Sequence, residues 1–192
     1  MKITLLTCSL ALGFGAVAAG YDAPAPTDFE TFATQSAADV VLEREAGSIE
    51  SSDAKVAVTV LIVADTASPG RTMAGARFDL ESNAGMDTVY LDEDQLSSVR
   101  EDTVGIMHGI AWLEKEGGAP YQVQGTASCW RPDPALRILC PSYRIGPDWK
   151  GVTMAAYGGR TFAFPDGHPT ELIALIDRAV ELLESARAAG TE

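Results

Sequence analysis

Apolar residues along this chain change their spacing in the same order twice. In short runs between residues 39 and 91 they sit at alternate positions, and from Leu96 they recur at steps of three and four. The first period belongs to strands and the second to an amphipathic helix. Asp39 to Glu45 predicts the first strand. Lys55 to Ala64 predicts the strongest one, with Val56, Val58, Val60 and Ile62 on one side and Leu61 and Val63 on the other. Apolar groups on both sides imply a strand covered on both faces. Ser68-Pro69-Gly70 turns the chain, Thr72 to Leu80 returns it, and Asn83-Ala84-Gly85 turns it again into a short strand at Thr88–Leu91.

Asp92 then predicts a helix N-cap, with Gln95 at capping-box spacing. Glu93 and Asp94 suit the positive end of the helix dipole. Leu96, Val99, Thr103, Ile106, Ile110 and Leu113 form one stripe, which Gly117-Gly118 ends.

The order then recurs. Tyr121–Trp130 and Ala135–Arg144 predict paired strands, Gly151–Tyr157 a third, Gly158-Gly159 a hairpin loop, and Thr161–Phe164 a fourth strand. Pro169 suits the first position of a last helix, with Leu172, Ile176, Ala179, Leu183 and Ala186 on its core face. The predicted fold class is therefore α+β, with two antiparallel four-stranded sheet plus helix units (ββββα twice). They span residues 29–118 and 119–192, read as an internal duplication sharing one core.

The N-terminus changes the picture of where this fold works. Lys2 is the only charge before Asp22, and Ile3 to Val17 is almost wholly apolar. Small residues follow at the positions a signal peptidase reads, so residues 1–19 read as a signal peptide cleaved near Ala18 or Ala19. A membrane span needs about 20 apolar residues, and this run is shorter and contains Gly13 and Gly15. Residues 20–28 then form a Pro-containing flexible leader, with one helical turn at Asp28–Phe32. The expected location is periplasmic or secreted, without membrane insertion after cleavage.

The formal charge is −13, and loss of the single charge on Lys2 would make it −14. Such a field repels nucleic acid and anionic lipid and favours a protein partner with a basic surface. Cys8 would leave with the signal. Cys129 and Cys140 would remain, flanking a turn at Trp130-Arg131-Pro132-Asp133-Pro134. In an oxidising compartment that pair predicts a disulfide across a hairpin.

Candidate chemistry is sparse. His108 and His168 are the only histidines, and neither has a second ligand at zinc spacing. His108 lies off the apolar stripe, while His168 is placed to cap the last helix. No G-x-S-x-G elbow occurs. Glu93, Asp94, Glu101 and Asp102 could supply paired carboxylates, but they read as a helix start and its solvent face. A calcium loop opening at Asp92 would need Gly where Ser97 stands. The glycines at 158–159 fit a hairpin better than a phosphate loop. Trp130, Tyr143, Trp149 and Tyr157 are a candidate interaction surface if exposed. These readings predict an exported, non-catalytic binding or interaction protein without a cofactor or metal. An enzyme using carboxylates and a structural envelope component are the alternatives.

Overall fold

Ser51 closes the first hairpin. Its N–H donates to the Ala54 carbonyl at 2.8 Å, and its Oγ accepts from the Ala54 N–H at 3.1 Å. On either side of this turn lie the two longest strands of a computed structural model that describes residues 28–116, 121–124, 139–145, 150–156 and 160–189. The elements run α1 (Asp28–Thr34), β1 (Ala38–Glu50), β2 (Ala54–Asp65), β3 (Thr72–Ser82), β4 (Gly85–Leu91) and α2 (Glu93–Glu116). They continue with β5 (Tyr121–Gln124), β6 (Cys140–Ile145), β7 (Lys150–Ala156), β8 (Arg160–Pro165) and α3 (Pro169–Ala189). The fold is α+β, with two antiparallel sheets ordered β1-β2-β3-β4 and β5-β6-β7-β8, hereafter sheet 1 and sheet 2.

β1 runs beyond the predicted Glu45 because its pairing with β2 survives two bulges, at Val40/Leu42 and Glu45/Gly47. A bulge breaks the alternation by which a strand is recognised but leaves the ladder able to resume. α1 likewise extends past the single turn expected at Asp28–Phe32, burying Phe29 and Phe32. The predicted strand segments 125–130 and 135–138 lie outside the described residues.

The start of α2 is capped in both directions. The Gln95 N–H donates to Asp92 Oδ1 at 2.9 Å, and the Asp92 N–H donates to Gln95 Oε1 at 3.0 Å. Asp92→Ala removes the acceptor and is expected to cost about 0.5–2 kcal/mol. The urea midpoint should fall at unchanged slope; an unmoved midpoint would show the cap to be energetically silent.

One hydrophobic cluster joins Val56, Val58, Phe78 and Leu80 of sheet 1 to Tyr143, Met154, Phe162 and Phe164 of sheet 2 through α2 and α3. The helices are exchanged between the sheets. α2, which leaves β4, packs mainly on β5 and β6, whereas α3, which leaves β8, packs mainly on β1 and β2. Contacts between the sheets join β8 to β2 and β3, and β7 to β4. α2 and α3 also lie along one another, tied by Arg100–Asp177 and Arg187–Glu93 ion pairs. The hydrogen bond and charge of Asp177 hold the Arg100 pKa above its ordinary value.

A second cluster lies on the opposite face of sheet 1, where Phe29 and Phe32 of α1 cover Leu61 and Val63. Gly75 makes this contact close. A Cβ there would press into the Phe29 ring and stand 2.6 Å from the Leu91 carbonyl oxygen.

Candidate functional site

With α2 and α3 on the inner side and α1 at one end, much of the outer face of sheet 1 is left open by the described residues. Strand register places its side chains in rows: Glu45, Thr59, Arg77 and Tyr90, then Ser48, Ala57, Asp79 and Thr88, then Glu50, Lys55, Glu81 and Met86. Arg77 stands at the centre. Its Nε donates to Asp79 Oδ2 at 2.8 Å, and Nη2 lies 3.3 Å from Glu43 Oε1. The Thr88 hydroxyl donates to Asp79 Oδ1 at 3.0 Å. Partial burial works against the Arg77 charge. The Asp79 hydrogen bond and the charges of Asp79 and Glu43 outweigh it, raising the Arg77 pKa above its ordinary value. Arg77 is thus satisfied within the sheet. Glu43, Glu45, Glu50 and Glu81 are all exposed around it, with Lys55 as the exposed cation of these rows.

The border of this face is the edge of β1, which has no strand neighbour among the described residues. Beside it a groove of about 450 Å³ runs between Ala46–Glu50 and the start of α3, where Glu171, Ala174 and Leu175 form the opposite wall. Gly47 shapes the groove. Its φ of +138° favours glycine, and a Cβ there would lie 3.3 Å from Leu175 Cδ1.

The sequence-predicted residues are scattered rather than gathered. His108 is exposed on α2. His168 caps α3: its Nδ1 lies 3.0 Å from Thr170 Oγ1 and accepts from the Thr170 N–H at 3.3 Å. Glu93 pairs with Arg187, while Asp94 and Glu101 face solvent. Asp102 departs from the expected solvent face and is only 4 % exposed.

Tyr143 must also be corrected as a member of an aromatic recognition surface. It is 1 % exposed, within the core cluster, and edge-on to His168 at 6.2 Å between ring centroids. Trp130, Trp149 and Tyr157 lie outside the described residues. Among the described residues, the exposed large apolar groups are instead Val40 and Val41 on β1, Met86 (63 % exposed) on β4 and Trp112 (62 %) on α2. Trp112 could have been suspected because it falls outside the stripe ending at Ile110 and Leu113.

Cys140 is disulfide-bonded, and its expected partner Cys129 lies outside the described residues. β5 pairs with β6 from Tyr121↔Ile145 to Gln124↔Ser142.

Among the described residues, no group of three or more His, Cys, Asp and Glu side chains is placed to hold a metal ion. No described helix is long and apolar enough to cross a membrane. Comparison with protein-family models, curated proteins and solved structures finds no match.

Proposed function

We propose that this is an exported, non-catalytic binding protein that meets a basic protein partner through the outer face of sheet 1. The observation that carries this reading is the open acidic field of Glu43, Glu45, Glu50 and Glu81 around a neutralised Arg77. Exposed carboxylates on a rigid sheet attract a cationic surface and orient it as it approaches. The −13 charge of the whole chain adds long-range steering. Residues 1–19 would be removed during export, and Cys129 would bridge to Cys140. The two ββββα passes would descend from one duplicated unit, a reading supported by the reciprocal packing of α2 and α3.

Cross-linking capture from the exported fraction tests the partner. The native protein should retain a basic protein that Glu45→Lys/Glu50→Lys/Glu81→Lys loses, and raised salt should screen the contact. Equal capture by both proteins, insensitive to salt, overturns the reading. The disulfide has its own check: exported material should take up a thiol label only after reduction, and Cys140→Ser should cost about 3 kcal/mol. Labelling of Cys129 and Cys140 without reduction would reject the bridge.

A carboxylate enzyme is the second reading, favoured by one observation, the presence of Glu50 and Glu171 on the same groove. Both are exposed, whereas acid–base carboxylates are tuned by desolvation and close neighbours. A hydrolase screen giving activity lost in Glu50→Gln and Glu171→Gln would reverse the ranking.

A further inference from the structure

We propose that the edge of β1 between Gly47 and Glu50 is a strand-addition site for an extended basic peptide segment, whose alternate side chains enter the groove beside α3. This rests on the basic-partner reading and specifies how such a partner would be held. Antiparallel ladders alternate between residue pairs that exchange both backbone bonds and pairs whose N–H and C=O groups point away. Counted from the Ser51–Ala54 bond, Ile49↔Val56 and Gly47↔Val58 are bonded pairs. Glu50↔Lys55 and Ser48↔Ala57 are therefore the pairs that turn their backbone groups outward. Ser48 and Glu50 thus offer amides and carbonyls at an edge with no strand neighbour among the described residues. Such an edge is a template for another chain.

The surroundings select the added strand. The bulge at Glu45/Gly47 interrupts the regular ladder, so the regular stretch begins at Gly47 and ends at the Ser51 turn. Side chains of the added strand would alternate between two environments. On the inner side they would meet Ala46, Ile49, Ala174 and Leu175, which suit small or branched apolar groups. On the outer side they would meet Glu45 and Glu50, exposed on β1, which suit Lys or Arg. Backbone pairing supplies affinity in this mode, and the alternate side chains supply selectivity.

The probe is a fluorescent peptide of alternating Lys and Val, read by anisotropy against the full chain, beside the same peptide N-methylated at every second residue. N-methylation keeps the charge and side chains but removes the edge-pairing donors, so it is expected to weaken binding about tenfold or more. Ser48→Pro should weaken the unmodified peptide similarly, because Pro on an outward-facing edge position removes a donor without breaking the β1–β2 ladder. If the methylated peptide binds as tightly as the unmodified one, strand addition is overturned while charge-based partner capture still stands. Loss of charge-sensitive capture as well would overturn both. Circular dichroism of Ser48→Pro checks its fold, and the N-methyl comparison uses unaltered protein, so it decides the case if that variant misfolds.

Discussion

Truncating Ile176 to alanine is expected to cost about 2–5 kcal/mol and to lower the stability of both sheets together. Ile176 belongs to the second pass of the chain, yet it is fully buried on a helix that packs mainly on β1 and β2. Its loss opens a cavity under sheet 1. α3 also holds α2 through Arg100–Asp177 and Glu93–Arg187, and α2 covers β5 and β6. A defect beneath sheet 1 is therefore transmitted to the cover of sheet 2. Native-state hydrogen exchange should show the slowest β2 and β7 amides losing protection by the same amount, as in one cooperative unit. Retained β7 protection beside a loosened β2 would mean that the halves open independently.

Gly75→Val is expected to destabilise by about 1–3 kcal/mol or more, an overpacking cost. The new side chain meets the Phe29 ring and, more seriously, the Leu91 carbonyl oxygen at 2.6 Å from its Cβ. A ring can swing aside, but Leu91 is fixed by its pairing with Ala76. Gly105 supplies the contrast. It lies on the exposed side of α2 with nothing within 4 Å of where a methyl group would stand, so Gly105→Ala should stabilise by roughly 0.5–1 kcal/mol. Thermal midpoints moving in opposite directions would confirm both. A Gly75→Val protein as stable as the native one would show that α1 is free to lift off the sheet.

Much of the order of elements was legible because period two and period three-to-four are local signals. The Asp92–Gln95 cap was legible for the same reason, since both halves of the box lie within one turn. The helix exchange was not. An apolar stripe reports that a helix is covered and says nothing about which sheet covers it.

Asp102 was misread for a related reason. The stripe from Leu96 to Leu113 was drawn from apolar residues and one threonine, but α2 is covered by α3 on one side and by β5 and β6 on another. The buried arc is wider than the stripe and takes in Asp102. Tyr143 was misread because a tyrosine next to a turn signal resembles a surface aromatic, whereas in β6 Pro141, Ser142 and Tyr143 are all buried. The groove at β1 depends on Gly47 facing Leu175 of α3, a pairing between distant segments that no local pattern encodes.

The exchange of helices also dictates a timetable. Strands β1 to β4 leave the ribosome, and in an exported chain the translocation channel, well before α3. Until that final helix arrives, the row Val56, Val58 and Val60 lacks its native cover. Completion of the first sheet's core thus waits for the last stretch of chain, and a premature stop near residue 169 would strand that sheet half-dressed. An exported chain with this wiring gains from any escort that shields nascent strands until the C-terminus has emerged.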